Sequence, residues 1–463
     1  MRKVQQTKSP IDDSIYVERS YASPKDATQI IAKAKEAHKH WRKLSVDKRA
    51  SYCNKAVDAF VKNKEAVGEE ITRQMGRPIR YAAGEVGGFE ERARYMISTA
   101  NDKLADTPLE AKKDFERFIR RESLGVVFTV APWNYPYLTA VNSIIPALMA
   151  GNTVILKHSA QTPLCAERLA DAFAEAGLPE GVFQILHATH ETVAEMIKSP
   201  EINYIAFTGS VAGGEAIEAS ASGLFKGVGL ELGGKDPAYV RADADISFSV
   251  ENLVDGVYFN SGQSCCGVER IYVHEDVFDS FVEGFKKLVE GYVLGDPMDE
   301  ATTLGPMVKS SAAFFVREQI EDAVNAGATA LIDATKFLAD VGDSPYLAPQ
   351  VLINVDHSMR IMTQESFGPV VGIQAVESDE EALQLMNDSE YGLTASIWTK
   401  DKDKALELAD DLETGTCFMN RCDYLDPELA WVGVKNSGRG CTLSSIGYES
   451  LTRPKSFHLR TKI

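Results

Sequence analysis

Two adjacent cysteines, Cys265 and Cys266, lie in the segment Asn260–Gly267, which follows a predicted helix ending near Phe259. A deprotonated thiol is a strong nucleophile, and it can attack a carbonyl carbon to form a covalent intermediate. Most cytosolic cysteines are instead buried structural residues. Gly262 and Gly267 flank the pair and allow close backbone approach to a ligand, so the setting favours a reactive thiol.

Glu231 ends the apolar run Val228–Leu230 and precedes Gly233 and Gly234. A carboxylate in partly apolar surroundings holds its proton more tightly, which suits a general base near neutral pH. The alternative is an ordinary solvated or salt-bridged glutamate.

Asn134 lies between Pro132 and Pro136, directly after a predicted strand. A side-chain amide held between two prolines can donate a hydrogen bond to a developing oxyanion. Alternatively, Asn134 only satisfies the backbone of its own turn.

The segment Phe207–Ser210 ends another predicted strand and opens a predicted helix. Backbone N–H groups at such a helix start can bind a pyrophosphate. The spacing differs from the six-residue dinucleotide fingerprint, and Gly-Ser turns before helices are common, so this motif is weak when taken alone.

The elements that must position these residues follow an α/β pattern. Ser23 and Pro24 predict a helix start, and apolar residues at helical spacing make the first hundred residues mainly helical. Short apolar runs separated by helical segments then predict two sets of buried parallel strands. The first set is 126–130, 153–156, 182–186 and 204–207, and the second is 271–273, 370–373, 395–398 and 416–419.

At 463 residues the chain exceeds one hydrophobic core, so we expect two α/β domains that meet near Gly233–Gly234. The charged segment 112–121 and the tail 456–462 fit either two extended strands outside both domains or a surface loop and a frayed terminus.

Composition excludes several classes of function. The net charge of −18 disfavours nucleic-acid and membrane partners, and no segment has the length of a membrane span or a signal peptide. Seven cysteines without paired spacing and eight histidines without a ligand motif predict neither a disulfide framework nor a metal site. We therefore expect a cytoplasmic protein.

Together and in this order, these segments resemble the aldehyde dehydrogenase superfamily over essentially the whole chain. The motifs that carry the resemblance are PWNYP with Asn134, ILKHSAQTP with Lys157, FTGS at 207–210, ELGGK with Glu231, GQSC with Cys265 and QESFGP with Glu365. The separation of base and nucleophile, 265 − 231 = 34 residues, is also similar to the family's. Cys265 matches the catalytic cysteine because it stands two places after Gln263, and Cys266 is assigned to packing or to the pocket wall.

The resemblance implies two Rossmann-like α/β domains and a small bridging β-sheet. The implied cofactor domain comprises residues 1–110 and 124–232, the catalytic domain 233–443, and the bridging and oligomerisation segments 111–123 and 444–463. Such sheets join subunits, so a homodimer or homotetramer is implied.

The implied reaction oxidises an aldehyde to the carboxylic acid with NAD or NADP. Cys265 forms a thiohemiacetal and then a thioester, Asn134 stabilises the oxyanion, and Glu231 activates the hydrolytic water. The implied cofactor-binding residues are Ala131, Pro132, Trp133, Lys157, Ser159, Ala160, Phe207, Gly209, Ser210, Leu232, Glu365 and Phe367. Ala160 stands where many NAD-preferring members have a glutamate, so we expect both cofactors to be accepted.

Positions that match the family's substrate pocket are more polar than a tunnel for fatty aldehydes, which favours a semialdehyde or a short hydroxyaldehyde. They are Tyr135, Thr139, Asn142, Ser264, Cys266 and Trp431. Arg270 and Arg421 are candidate partners for a substrate carboxylate, with an ordinary structural role as the alternative. The segment 437–442 lacks the acidic residue often found after the family's Gly-Arg pair, so no second proton-relay carboxylate carries over.

Two other functions fit the same fold. One is a catalytically silent family member that serves as a binding protein. The other is a thiol hydrolase that cleaves esters with Cys265 and needs no cofactor. Intact Glu231 and Asn134 argue against the first, and the cofactor motifs around Lys157 and Glu365 argue against the second.

Overall fold

The computed structural model describes residues 3–463, and its elements follow the predicted α/β pattern. The helices are α1 (Pro24–Trp41), α2 (Val46–Val61), α3 (Lys64–Met75), α4 (Ile79–Ala82), α5 (Gly84–Lys103), α6 (Pro136–Met149), α7 (Pro163–Glu175), α8 (His190–Lys198), α9 (Val211–Ala221), α10 (Ile246–Tyr258), α11 (Glu275–Val289), α12 (Ser310–Asn325), α13 (Arg360–Thr363), α14 (Asp379–Asn387) and α15 (Lys402–Asp410).

The strands form three larger sheets and two short pairs. They are β1 (Val4–Lys8), β2 (Ile15–Ser20), β3 (Thr107–Pro108), β4 (Phe115–Ser123), β5 (Val126–Val130), β6 (Thr153–Lys157), β7 (Phe183–Ile185), β8 (Ile202–Thr208), β9 (Gly227–Glu231), β10 (Asp236–Val240), β11 (Val268–His274), β12 (Thr329–Ala330), β13 (Gln350–Ile353), β14 (Val370–Val376), β15 (Tyr391–Gly392), β16 (Thr394–Trp398), β17 (Thr416–Met419), β18 (Val434–Lys435), β19 (Gly438–Arg439) and β20 (Thr452–Arg460).

The first sheet has the order β19-β9-β8-β5-β6-β7, and all its strands except β19 run parallel. Helices α6 to α9 alternate with these strands, as crossover connections between parallel strands require. β5 and β6 are buried along their whole length, which explains their continuous apolar sequences. The carboxyl ends of β5, β8 and β9 therefore lie at one edge and carry the PWNYP, FTGS and ELGGK motifs.

The second sheet has the order β12-β13-β14-β11-β10-β16-β17, and only the short edge strand β12 is antiparallel. Its core includes Trp398, Phe281 and Phe285, all fully buried. Strands β10 and β13 are missing from the sequence prediction. β10 begins with Asp-Pro, which is typical of a turn, and β13 has only four residues.

The bridging sheet consists of β20, β4 and β3, all antiparallel. β4 and β20 pair from Ser123 with Thr452 to Phe115 with Arg460, so the extended-strand alternative for these two segments is confirmed. The rings of Phe118 and Phe457 stack across the pair at 4.6 Å between centroids. β19, which precedes β20 in the chain, pairs with Leu230 and Glu231 at the edge of the first sheet.

The N-terminal helices pack behind the first sheet. The predicted start of α1 is confirmed, because the Ser23 hydroxyl accepts from the Asp26 N–H at 3.2 Å while the Asp26 carboxylate accepts from the Ser23 N–H at 2.9 Å. The hairpin β1–β2 precedes this helix and is missing from the sequence prediction. α5 packs along α6, and both helices contribute to the candidate site.

Candidate active site

The loop that carries Cys265 is fixed in an unusual backbone conformation. Asn260, Ser261 and Gly262 are consecutively left-handed, with φ of 55°, 57° and 69°. Such a run costs free energy for residues other than glycine and persists only where contacts hold it. The Ser261 hydroxyl donates to the Gly305 carbonyl at 2.8 Å, and the Gln263 amide donates to the Asn260 carbonyl at 3.1 Å. At Gly262 a Cβ would lie only 2.2 Å from the Gly368 carbonyl oxygen, so glycine is required.

The two adjacent thiols have different environments. Cys265 is partly exposed and lines two cavities at once. Cys266 is buried, and its thiol donates to an Asp423 carboxylate oxygen at 3.0 Å. Its hydrogen bond with Cys265, together with burial, raises the pKa of Cys266 well above its usual range. Of the two sulfurs, only Cys265 combines access from both cavities with partial exposure.

Asn134 is buried beside this loop, and its side-chain amide donates to the Gln263 carbonyl at 3.2 Å. Its own main-chain carbonyl accepts from Arg77 at 2.5 Å and from the Asn260 amide at 3.2 Å. Asn134 and Cys265 line the same cavity. The network therefore couples the PWNYP turn to the nucleophile loop.

Arg77 is anchored in turn by Glu85, which forms a buried ion pair with it. The other oxygen of Glu85 accepts from the main-chain N–H groups of Tyr137 and Leu138, at 2.7 and 3.2 Å. A carboxylate at a helix N-terminus is stabilised by the free N–H groups there. Glu85 thus fixes both Arg77 and the first turn of α6.

Glu231 lies at the end of β9 and lines the cavity that Cys265 also lines. Its two carboxylate oxygens accept from the hydroxyls of Thr208, at 3.0 Å, and Thr442, at 2.5 Å. Burial raises the pKa of Glu231 although both hydroxyls act to lower it. Thr442 belongs to the segment that lacks the family's acidic residue, and it contributes a hydroxyl to Glu231 instead.

The glycines of ELGGK explain how the chain crosses this region. A Cβ on Gly233 would overlap the Glu365 carboxylate, and one on Gly234 would lie 2.6 Å from the Cys265 carbonyl oxygen. The Gly234 N–H donates to Glu365 at 2.9 Å. The motif therefore brings both Glu365 and the nucleophile loop against the end of β9.

Two cavities lie along the carboxyl edge of the first sheet, with volumes of about 670 and 360 Å³. Eleven of the twelve predicted cofactor residues line one or both. They are Ala131, Pro132, Trp133, Lys157, Ser159, Phe207, Gly209, Ser210, Leu232, Glu365 and Phe367. Ser210 caps α9 by accepting from the Gly213 N–H at 3.2 Å, so the helix start opens towards these cavities.

Ala160 is the exception among the predicted cofactor residues. It lines neither of the two cavities, and its carbonyl accepts from Gln5 at 3.1 Å and from Thr7 at 2.7 Å. Its main chain is thus tied to β1. Ser159, one residue earlier, does line the smaller cavity.

Two charged residues in these cavities are suited to a dinucleotide. Burial lowers the pKa of Lys157 to about 8, and its ammonium makes no hydrogen bond or ion pair with any residue in the range 3–463. Burial, with Glu269 nearby, raises the pKa of Glu365 to about 7. A buried ammonium without a partner is costly, so the site fits a ligand that supplies hydroxyl or phosphate oxygens.

The third cavity, of about 310 Å³, also has Cys265 in its wall. All six predicted pocket residues line it: Tyr135, Thr139, Asn142, Ser264, Cys266 and Trp431. Sequence reasoning missed two residues that also line it, buried Arg92 on α5 and half-buried Asp423. Arg92 lies on the apolar face of α5 with Phe89 and Met96, and a charge on that face was the available signal.

The two arginines considered for a substrate carboxylate lie elsewhere. Arg270 is fully buried and donates to main-chain carbonyls, among them Lys235 at 2.8 Å and Met386 at 3.1 Å, so its structural role replaces the proposed one. Arg421 stacks on the ring of Tyr424 at 3.5 Å and does not line the third cavity.

Comparison with known proteins decides the family. The model of the aldehyde dehydrogenase family matches residues 2–457. The chain belongs to the aldehyde dehydrogenase family. Members of this family resemble it over nearly its full length, which confirms the resemblance, the two Rossmann-like α/β domains and an NAD(P)-dependent aldehyde dehydrogenase activity.

Among the similar sequences is an aldehyde dehydrogenase of Paenarthrobacter nicotinovorans, 36% identical over 437 residues and covering 94% of this chain and 95% of that protein. Succinate semialdehyde dehydrogenase [NAD(P)+] Sad of Escherichia coli strain K12 is 34% identical over 427 residues, or 92% of each chain. The NADP-dependent glyceraldehyde-3-phosphate dehydrogenase of Bacillus halodurans C-125, solved with NADP, has a TM-score of 0.93 at 32% identity and covers 99% of this chain and 96% of that one. NAD or NADP is thus the cofactor of this aldehyde dehydrogenase.

Two further observations concern other kinds of site. Within residues 3–463, no group of three or more His, Cys, Asp or Glu side chains could hold a metal ion. Within the same range, no helix has the length and apolar character needed to cross a membrane.

Proposed function

We propose that this aldehyde dehydrogenase converts an aldehyde to the free carboxylic acid through a thioester on Cys265, which is hydrolysed by water that Glu231 activates. The observation that carries the proposal is the place of Cys265 between two cavities. One cavity holds Asn134 and the residues suited to the cofactor, and the other holds Glu231. Aldehyde and cofactor can therefore approach the same sulfur from different sides.

In the first step the Cys265 thiolate adds to the carbonyl carbon and leaves an oxyanion. The Asn134 amide and the Cys265 main-chain N–H are the proposed donors to that oxygen. The Gln263 carbonyl already orients the amide, so little reorganisation is needed when charge develops. One such donor stabilises the transition state by about 3–4 kcal/mol.

On the other side of the sulfur, Lys157 and Glu365 are proposed to hold the cofactor riboses, and the start of α9 at Ser210 the pyrophosphate. When bound, NAD(P)+ supplies the hydride acceptor of the reaction. Loss of hydride from the thiohemiacetal carbon leaves the Cys265 thioester. The Trp133 and Phe367 rings meet edge to face at 5.7 Å and narrow this cavity.

The last step adds water to the thioester and returns the Cys265 thiol and the acid. Glu231 is the proposed base, because it lines the cavity with Cys265 and its pKa is raised by burial. The hydroxyls of Thr208 and Thr442 hold the carboxylate at the cavity wall. A base at this position favours hydrolysis over acyl transfer to a thiol.

The test is stopped-flow measurement of reduced cofactor with Glu231→Gln. We expect a burst of about one equivalent per active site, followed by turnover slowed by about 10²-fold or more, because hydride transfer precedes the step that needs the base. Loss of the burst would refute this role of Glu231. The same traces address the rivals, since a silent protein gives no burst and a pure thiol hydrolase reduces no cofactor.

The remaining parts of the proposal concern organisation. We propose the cofactor domain as residues 1–110 and 124–232, the catalytic domain as 233–443, and the bridging segments as 111–123 and 444–463. The bridging sheet is proposed to join subunits of a cytoplasmic homodimer or homotetramer, which light scattering of the purified protein tests. Because one similar protein is named for succinate semialdehyde, this aldehyde comes first in a substrate panel.

A further inference from the structure

Arg92 is a buried guanidinium on the wall of the third cavity, of about 310 Å³, which we call the aldehyde-side cavity. Only 7% of the residue is exposed. It lies on the face of α5 that packs against α6. One nitrogen, Nη1, donates to the Leu138 carbonyl at 2.7 Å and to the Asn142 side-chain oxygen at 3.3 Å. These two bonds fix the orientation of the guanidinium plane.

The other edge of the guanidinium consists of Nε and Nη2. Within residues 3–463, Nε and Nη2 of Arg92 make no hydrogen bond, and no carboxylate lies within ion-pair distance. Buried Arg77, by contrast, is paired with Glu85, and Arg270 donates to main-chain carbonyls. Neither Nε nor Nη2 of Arg92 is fully enclosed by protein atoms, so both are open to the cavity, where a ligand can accept their hydrogen bonds.

Four carboxylates line the same cavity. Two of them are half-buried and accept two hydrogen bonds each: Glu231 from Thr208 and Thr442, and Asp423 from Ser264 and Cys266. Two further acids that line the cavity, Glu91 and Asp255, are exposed to solvent. Arg92 is therefore a buried group on this wall that still has unused hydrogen-bond donors.

We propose that the Nε–Nη2 edge of Arg92 binds the carboxylate of the substrate, so the preferred aldehydes are short ω-oxo acids. This edge presents two parallel N–H groups, the geometry that matches a carboxylate in a bidentate pair. Because Cys265 lines the same cavity, the aldehyde end of such a molecule faces the nucleophile while its acid end meets Arg92. The proposal rests on the proposed function, since it names the substrate class of that site.

An alternative role for Arg92 is purely electrostatic. Its positive charge acts to lower the pKa of Glu231, so it could tune the base rather than bind substrate. The two roles differ in one respect. Carboxylate binding changes only the preference between acidic and neutral aldehydes, whereas tuning of Glu231 affects both kinds of aldehyde equally.

The experiment compares pairs of aldehydes of equal chain length: 4-oxobutanoate with butanal, and 5-oxopentanoate with pentanal. We expect the wild-type enzyme to favour the oxo acid in kcat/KM, and Arg92→Gln to lower that preference about 30-fold or more. Arg92→Lys keeps part of the preference, because it retains the charge without the bidentate edge. Arg94→Gln, two residues along the same helix and paired with exposed Asp58, is the matched control with an unchanged preference.

Inhibition of the wild-type enzyme provides a second measurement that does not depend on a folded variant. Pentanoate is expected to compete with the aldehyde at least about tenfold more tightly than its neutral analogue pentanamide does. A wild type without preference for oxo acids, or a preference that survives Arg92→Gln, would overturn the proposal. An equal loss on both members of each pair would overturn it too and assign Arg92 to Glu231. Failure of the proposed function is distinct, because the wild type then oxidises neither member of a pair.

Discussion

The two sides of Cys265 are built in different ways. The cofactor side consists of strand ends and turns, where Gly233 and Gly234 let the backbone pass close to Glu365 and the nucleophile loop. The aldehyde side consists of side chains from α5, α6 and the 423–431 loop. A reaction common to a family needs reacting groups that the backbone holds in fixed positions. Substrate specificity needs only a few side chains that line the cavity, and these can be exchanged.

The same contrast separates the adjacent thiols. Cys265 belongs to both sides, while Cys266 faces only the aldehyde side and is held by Asp423. Two adjacent residues therefore differ in role, since Cys265 reacts and Cys266 only lines the cavity. Variants can therefore show whether a residue takes part in catalysis or cofactor binding, or only lines the aldehyde-side cavity.

The largest expected effect is that of the thiol pair. Cys265→Ser should lower kcat by about 10⁴-fold or more, because a neutral hydroxyl replaces the nucleophilic thiolate. Cys266→Ser changes only the wall and should cost about tenfold at most. Steady-state assays of both variants check this contrast, and equal losses would mean that the two sulfurs have not been distinguished correctly.

Asn134→Ala should lower kcat by about 10²–10³-fold, because an oxyanion donor is lost. The KM for aldehyde should change little, since the donor acts mainly in the transition state. A melting curve controls for damage to the Gln263 contact. A rise in KM alone, with kcat preserved, would mean that Asn134 contributes to substrate binding and not to stabilisation of the oxyanion.

The cofactor side predicts a pH effect through Lys157. Its pKa of about 8 means that the ammonium charge falls as pH rises through that value. The ratio of kcat/KM for NADP to that for NAD should therefore decline by up to about tenfold between pH 7 and 9. Lys157→Met should abolish this decline, and a ratio independent of pH in the wild type would contradict the proposed contact of Lys157 with a cofactor ribose, the group that carries the 2′-phosphate of NADP.

The smallest effect concerns the hydroxyl that replaces the missing acidic residue. Thr442→Val removes a donor to the Glu231 carboxylate, so the pKa of Glu231 rises further. In a plot of the deacylation rate against pH, the apparent pKa of the acidic limb should rise by about one unit, which corresponds to about 1.4 kcal/mol. Thr139→Val is the control, because that hydroxyl donates to the Tyr135 carbonyl rather than to Glu231. The same apparent pKa in both variants would show that Thr442 does not influence the pKa of Glu231.

The cofactor side could be predicted from sequence because its residues occur in short contiguous motifs at strand ends. Eleven of twelve predicted residues line those cavities, and Ala160 does not because its main chain is bound to β1. Arg92 could not be assigned in the same way. It comes from a helix far from any motif in the chain, and a run such as Glu-Glu-Arg-Ala-Arg normally indicates a solvated face.

Other contacts depend on packing between distant segments. Nothing near Glu85 in the sequence indicates that it caps α6 and holds Arg77, and nothing near Thr442 indicates its bond to Glu231 across 211 residues. Arg270 illustrates the opposite error, since its charge indicated substrate binding while its position in β11 buries it among carbonyls.

The central claim, an acyl group on Cys265, is tested most directly by mass spectrometry of the Glu231→Gln enzyme after one turnover with aldehyde and cofactor. Two double variants locate the adduct, because each also replaces one of the two adjacent cysteines by serine. The predicted result is an acyl mass on the protein that also carries Cys266→Ser and no such mass on the protein that also carries Cys265→Ser. An adduct that persists without the Cys265 sulfur, or no adduct in either protein despite a burst of reduced cofactor, would contradict the account.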